Sequence, residues 1–258
     1  MPELIRPDAI LHYEVAGSGR PLLLIAGIAS DSASWGLLPS LLPGRHLLMP
    51  DNRGSGRTRC DGALSIADMV DDLAALIEHL GIGPVDVVGH SMGGFLGLAL
   101  AARHPEKVSR LVTLASGTLS NASRLLFRDL SRLYFTIPPV DWFRLLYQWL
   151  FSEPFFASET GVAAAAASSV AYPYRQSPGD FARQVAAIDA MTPIDLSSIN
   201  CPVLAIAAER DLLAPPESVR ALHKSITDCR FETIPGVAHS IHWEAPQAVG
   251  ALVATFLD

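Results

Sequence analysis

The chain alternates short apolar runs, rich in β-branched residues, with segments whose apolar residues recur at helical spacing, and few architectures accept that alternation. Leu22-Leu23-Leu24-Ile25 reads as a buried strand ending at Ala26-Gly27, and His46 to Pro50 as a second, closed by Asp51-Asn52-Arg53-Gly54. Val85 to Val88, Leu111 to Leu114, Val203 to Ile206 and Phe231 to Ile234 supply four more, and His12 to Val15 adds an antiparallel edge strand. Between them, Ile66 to Leu80 places Met69, Val70, Leu73, Leu76, Ile77 and Leu80 on one helical face, and Ala245 to Leu257 does likewise near the end. Strands that are apolar throughout must be covered on both faces. The pattern therefore predicts an α/β fold with a mostly parallel, doubly wound sheet.

The alternation breaks between residues 119 and 193. No strand-like run occurs there, while Trp142, Phe143, Tyr147, Trp149, Phe155 and Phe156 crowd the segment and Pro138-Pro139, Pro173 and Pro178 punctuate it. We expect a helical lid (residues 119–193) inserted into a core formed by residues 1–118 and 194–258. Trp142, Phe143 and Tyr147 either line an apolar substrate pocket or pack between the lid's own helices. Arg124, Arg128, Arg132 and Arg144 are available to meet a substrate carboxylate, but most of them read as a solvated helix face.

At 258 residues, half of them apolar and 17% charged, the chain suits one sizeable globular domain. A net charge of −7 implies no basic face, so nucleic acid is not an expected partner. Cys60, Cys201 and Cys229 make neither a CxxC pair nor a metal-ligand spacing, which predicts no metal site and fits a reducing compartment. The first eight residues lack a basic stretch followed by an apolar one, and no apolar run approaches a membrane span; the cytoplasm is the expected address.

Chemistry concentrates at Gly89-His90-Ser91-Met92-Gly93-Gly94, which follows one strand directly and opens the helix Phe95 to Arg103. This is G-x-S-x-G in the context it requires. A serine on so tight a turn has its hydroxyl pushed out from the sheet edge, and flanking glycines keep side chains from blocking the turn. The helix N-terminus behind it favours developing negative charge. Ser91 is the candidate nucleophile, and it needs a base. Of the eight histidines, His12 and His46 lie in strands, His79, His104 and His223 belong to helical segments, and His90 adjoins Ser91 but cannot face it. His239 and His242 remain, on the loop after the last strand. The acid should come from a strand end between serine and base, which selects Asp211 in Ala207-Ala208-Glu209-Arg210-Asp211. Its role would be to fix the imidazole tautomer.

With these loops in view the chain resembles the α/β-hydrolase superfamily along essentially its whole length. Asp51-Asn52-Arg53-Gly54-Ser55-Gly56 is similar to the family's D-x-R-G-x-G turn, and Gly89 to Gly94 and Glu209-Arg210-Asp211 follow in order. His239, followed by Glu244-Ala245-Pro246, matches the H-x4-E-x-P ending and is thereby preferred over His242. The resemblance implies the fold, the Ser91–His239–Asp211 triad and no cofactor. Where the family usually carries His-Gly after the first buried strand, this chain has Ala26-Gly27-Ile28; by position the backbone amides of Ile28 and Met92 would receive the oxyanion. Lactonases of the 3-oxoadipate enol-lactone kind also lack that histidine. Dehalogenase and epoxide-hydrolase relatives are set aside because they carry aspartate where Ser91 stands. The expected activity is hydrolysis of a small-molecule carboxylic ester or lactone. Carbon–carbon bond hydrolysis or perhydrolysis, using the same triad, and a slow-turnover small-molecule receptor are the alternatives.

Overall fold

The computed structural model describes residues 2–258. Among them are nine strands: β1 (Glu3–Ile5), β2 (Ala9–Gly17), β3 (Arg20–Ile25), β4 (Arg45–Pro50), β5 (Arg59–Cys60), β6 (Val85–His90), β7 (Val108–Leu114), β8 (Val203–Ala208) and β9 (Cys229–Ile234). The α-helices are α1 (Ile66–His79), α2 (Met92–Arg103), α3 (Asn121–Tyr134), α4 (Pro139–Leu150), α5 (Glu159–Ala171), α6 (Pro178–Asp189), α7 (Pro216–His223), α8 (Ile241–Glu244) and α9 (Pro246–Leu257). The sheet order is β1-β2-β4-β3-β6-β7-β8-β9, with β5 paired to β2. All strands from β4 to β9 along this path run parallel, while β1, β2 and β5 pair antiparallel.

Side chains alternate between two cores, as a strand covered on both faces requires. Leu23 and Ile25 of β3, with Val85 and Val87 of β6, pack on one face against Met69, Val70 and Leu73 of α1 and Leu96 and Leu100 of α2. Leu22 and Leu24, with Val88 and Val112, pack on the other against Trp35, Leu38 and the Val249, Val253 and Leu257 stripe of α9. Every residue of β6 and β8 is buried. Strand β2, expected as a four-residue edge strand, runs to nine residues and lies between β1 and β4; its buried His12 and half-buried Glu14 break the apolar run. The two- and three-residue strands β5 and β1 carry no readable pattern at all. At the far edge β9 is only partly buried. Helix α9 starts at Pro246, where a proline costs no hydrogen bond, and α8 precedes it as a separate turn.

Helices α3 to α6 fall between β7 and β8 and share a core of their own, in which Phe127, Leu130, Tyr134, Trp142, Phe143, Leu146, Phe181 and Val185 meet. Arg124 and Arg128 of α3 both pair with Asp189 at the end of α6, at 3.5 and 2.6 Å. The strand connections open a crevice in the sheet. β3 leads to β4 on one side and β6 leads to β7 on the other, so the chain reverses direction between β3 and β6. Such a switch point leaves room at the carboxyl ends of the two strands, where ligands bind in open α/β sheets.

Candidate active site

The carboxyl end of β6 is the tightest part of the molecule. A Cβ on Gly89 would lie 2.3 Å from the Gly93 carbonyl oxygen, and one on Gly93 would lie 1.9 Å from that of Ile25, so only glycine lets α2 come this close to β3 and β6. Ser91 sits at the bend with φ 53° and ψ −118°, a backbone that costs a non-glycine residue about 1–3 kcal/mol. Its amide donates to the Leu114 carbonyl at 2.9 Å, and the Ser116 hydroxyl donates to its carbonyl at 2.9 Å. The strained turn is thus clamped from β7.

The hydroxyl that this turn presents lies 2.9 Å from Nε2 of His239, whose Nδ1 lies 2.8 Å from Oδ2 of Asp211. The Asp211 side chain is wholly shielded from solvent, and its Oδ1 accepts the amides of Leu213 at 2.8 Å and Ala214 at 2.9 Å. One carboxylate oxygen is committed to the backbone; the other can only receive Nδ1–H. That assigns the proton to Nδ1 and leaves the Nε2 lone pair facing the Ser91 hydroxyl, the tautomer in which an imidazole can withdraw the serine proton. Glu209 is turned away, exposed and accepting the Gly236 amide.

Two further histidines hold His239 from behind. Nε2–H of His90 donates to the His239 carbonyl at 2.9 Å, and His242 packs edge-on against His90 with ring centroids 4.4 Å apart. Burial pushes His90 well below the usual histidine range and His242 down to about 4, so both rings are neutral at pH 7. His242 belongs to α8 rather than to the loop, with Nε2–H donating to the Ser34 carbonyl at 3.2 Å, and is not aimed at Ser91. Glu244 ties the His239 loop to the inserted helices: one carboxylate oxygen takes the Ala238 amide at 2.6 Å, the other the amide and hydroxyl of Ser152 at 2.8 and 2.6 Å. The sequence signals these supports only as motif letters; their function needs the folded contacts.

Across the crevice, Ile28 and Met92 border the cavity that holds Ser91 and His239. Met92 opens α2 and so has no intrahelical acceptor for its amide. The Ile28 turn is propped by the segment after β4: Asn52 donates to the Ala26 carbonyl at 2.9 Å, and Asp51 accepts the amides of Ser32 and Arg57, both at 2.8 Å. Backbone amides directed at the carbonyl oxygen in such a cavity are what stabilises an oxyanion.

The cavity at Ser91 is bordered by Phe127, Ile188, Met191 and Leu213. Trp142, Phe143 and Tyr147 do not border this cavity, and Trp142 takes the second of the two expected places, packed between the helices of the insert. Trp142 is 1% exposed, stacked on Tyr134 at 3.8 Å, its indole donating to the Leu130 carbonyl. Phe143 and Tyr147 line a larger outer cavity instead. The periodicity of α3 places Phe127 on the same buried face as Leu130 and Tyr134, but nothing in that pattern marks it as the one facing Ser91. Among the described residues, no cluster of His, Cys, Asp or Glu is arranged to hold a metal ion, and no helix is long and apolar enough to cross a membrane.

Comparison with known proteins agrees with this geometry. A Mycobacterium tuberculosis protein provisionally named non-heme bromoperoxidase BpoC is 31% identical over 258 residues, covering 95% of this chain and 97% of that protein. Its crystal structure superposes with a TM-score of 0.84 over 96% of this chain and 95% of that one. A protein of Azorhizobium caulinodans provisionally named carbamate hydrolase RutD is 28% identical over 262 residues, 99% of this chain and 98% of the relative. The enol-lactonase of Burkholderia xenovorans LB400 shares the fold, with a TM-score of 0.87 at 24% identity and 99% coverage of both chains. A family model described as the alpha/beta hydrolase fold matches residues 20–160, more than half of the chain. The chain belongs to the alpha/beta hydrolase fold family.

Proposed function

We propose that the protein is a serine hydrolase acting on a small-molecule carboxylic ester or lactone through an acyl-enzyme on Ser91. The observation that carries this reading is the unbroken line of hydrogen bonds from Asp211 through His239 to the Ser91 hydroxyl, at 2.8 and 2.9 Å, on a strained turn whose cavity Ile28 and Met92 border. His239 takes the serine proton as Oγ bonds to the substrate carbonyl carbon. The oxygen that becomes negative is held by the Ile28 and Met92 amides, each worth ~3 kcal/mol of barrier. Collapse breaks the C–O bond, with the His239 proton passing to the leaving alkoxide. Water, deprotonated by His239, then bonds to the acyl carbon and frees the acid and Ser91. Asp211 stays ionised throughout, holding the tautomer and the imidazolium that forms. Helices α3 to α6 act as a lid, with Phe127 bordering the reacting centre.

The test is labelling by a fluorophosphonate probe. Wild-type protein should be labelled, and Ser91→Ala, folded by circular dichroism, should not be. Persistent labelling of that variant removes Ser91 as the nucleophile. One relative favours a second reading, since BpoC is named for bromoperoxidase activity. Hydrogen peroxide replacing water at the acyl-enzyme would release a peracid from the same residues. Bromide oxidation that needs both peroxide and a carboxylic acid, and is lost in Ser91→Ala, would establish it.

A further inference from the structure

The walls around Ser91 carry no positive charge. Among the described residues, no lysine, arginine, aspartate or glutamate borders the cavity formed with Phe127, Ile188 and Met191. The same is true of the chamber on the His239 side, flanked by Leu146, Leu150 and Ser240. His90 and His242, which also border that chamber, are neutral at pH 7. The chamber shares Leu146, Leu150, Ser240 and Trp243 with an outer cavity of about 760 Å³, where the one charged residue is Glu244. Its carboxylate is already engaged by the Ala238 amide and by Ser152. The arginines of the insert have other partners. Arg124 and Arg128 pair with Asp189, Arg132 with Asp129 at 3.4 Å and Arg144 with Glu159 at 3.8 Å, and none of the four borders these cavities. Arg175 borders a neighbouring cavity that includes neither Ser91 nor His239 and that Asp31 also lines.

An anionic group attached close to a carbonyl at Ser91 would give up part of its hydration to apolar walls and meet no cation in return. Behind His239 it would face the wholly shielded Asp211 carboxylate, and the charge His239 gains during turnover is already matched by that carboxylate, 2.8 Å away. The net charge of −7 acts in the same direction at longer range. The start of α2 does favour negative charge and borders the same cavity. The reacting carbonyl oxygen needs that place, however, so a carboxylate seated there blocks the reaction instead of entering it.

We infer that the enzyme selects uncharged esters and lactones, and discriminates against counterparts that carry a carboxylate close to the scissile carbonyl. This rests on the ester-hydrolase reading above. The selection holds for either orientation of the substrate, because the walls lack a cation on both sides of Ser91.

The test compares two methyl esters of succinic acid, one with its far end as the free carboxylate and one with the N-methylamide there. Two γ-butyrolactones bearing the same groups on the carbon beside the ring oxygen extend it to lactones. Acid release is followed in a pH-stat at pH 7. For whichever pair is turned over, kcat/KM of the amide should exceed that of the carboxylate at least ~30-fold beyond the ratio of their hydroxide-catalysed rates. Met191→Arg and Trp243→Arg put a cation beside each of the two spaces, at a half-buried and a half-exposed position. In at least one of them the carboxylate-to-amide ratio should rise at least ~10-fold. Carboxylates turned over as readily as amides, or a ratio unmoved in both folded variants, overturns the inference. If p-nitrophenyl butyrate and all four compounds are inert, the ester-hydrolase reading has failed, and fluorophosphonates with a butyl or a carboxypropyl chain then test charge selection directly. Faster labelling of Ser91 by the butyl reagent keeps the inference, and equal labelling or none ends it.

Discussion

Asp211→Asn separates the orienting role of the carboxylate from its structural one. In the wild type Oδ1 accepts two backbone amides, from Leu213 and Ala214, and Oδ2 accepts Nδ1–H of His239. Asparagine keeps one oxygen and will give it to the two amides, since the alternative leaves both unsatisfied in a buried site at about 1–3 kcal/mol each. Its NH2 then points at His239, where it can only donate. Nδ1 must become the acceptor, the proton moves to Nε2, and the imidazole now offers Ser91 a hydrogen where a lone pair is needed. The loop stays in place, so the loss falls on the chemistry. The expected drop in kcat is about 10⁴-fold, or ~5.5 kcal/mol of barrier, with stability reduced by only about 1–3 kcal/mol. Stopped-flow release of p-nitrophenolate from the butyrate ester measures acylation, and urea denaturation measures the rest. An Asn variant that keeps a tenth or more of wild-type acylation at pH 7 refutes the tautomer argument. A variant that loses activity only because it unfolds would show a capping role and no more.

Three further outcomes rest on the same contacts. His239→Ala should be inactive, whereas His242→Ala, lacking only the ring behind His90, should keep measurable turnover in the same ester assay. Stability should fall as pH drops from 6.5 toward 4, because the unfolded chain protonates His242 at about 6.5 while the folded chain resists until about 4, worth up to ~3 kcal/mol; His90 adds in the same direction. Urea midpoints at pH 7, 5.5 and 4.5 check this, and His242→Phe should flatten the slope. Gly93→Ala places a methyl 1.9 Å from the Ile25 carbonyl oxygen, and should cost more than about 4 kcal/mol or fail to fold, as read by soluble yield and thermal melting.

The parts of the fold legible in the sequence are those with a period. β3 and β8 are apolar at every buried position, β6 and β7 at most of theirs (Asp86, His90 and Thr113 are the buried polar exceptions), and α1 repeats its apolar face through Ile77, so pattern alone located them. β1 and β5 exist only because β2 offers them a partner, and no local pattern encodes that. At the site, Ser91 is marked by glycines that backbone contact makes obligatory, and Asp211 and His239 by their places after β8 and β9. The place of Trp142 stays open in the sequence because an aromatic residue in an insert looks the same whether it faces a ligand or Tyr134. The wall formed by Phe127, Ile188 and Met191 draws on two helices and a loop distant in sequence, and only their packing brings them to Ser91.

The most direct test of the central claim is to trap the intermediate. Wild-type protein mixed with p-nitrophenyl butyrate and acid-quenched within the burst should carry one butyryl group, and peptide mapping by mass spectrometry should place it on Ser91. A butyryl group on any other residue, or full turnover with no acylated protein even in the slow Asp211→Asn variant, would contradict the account.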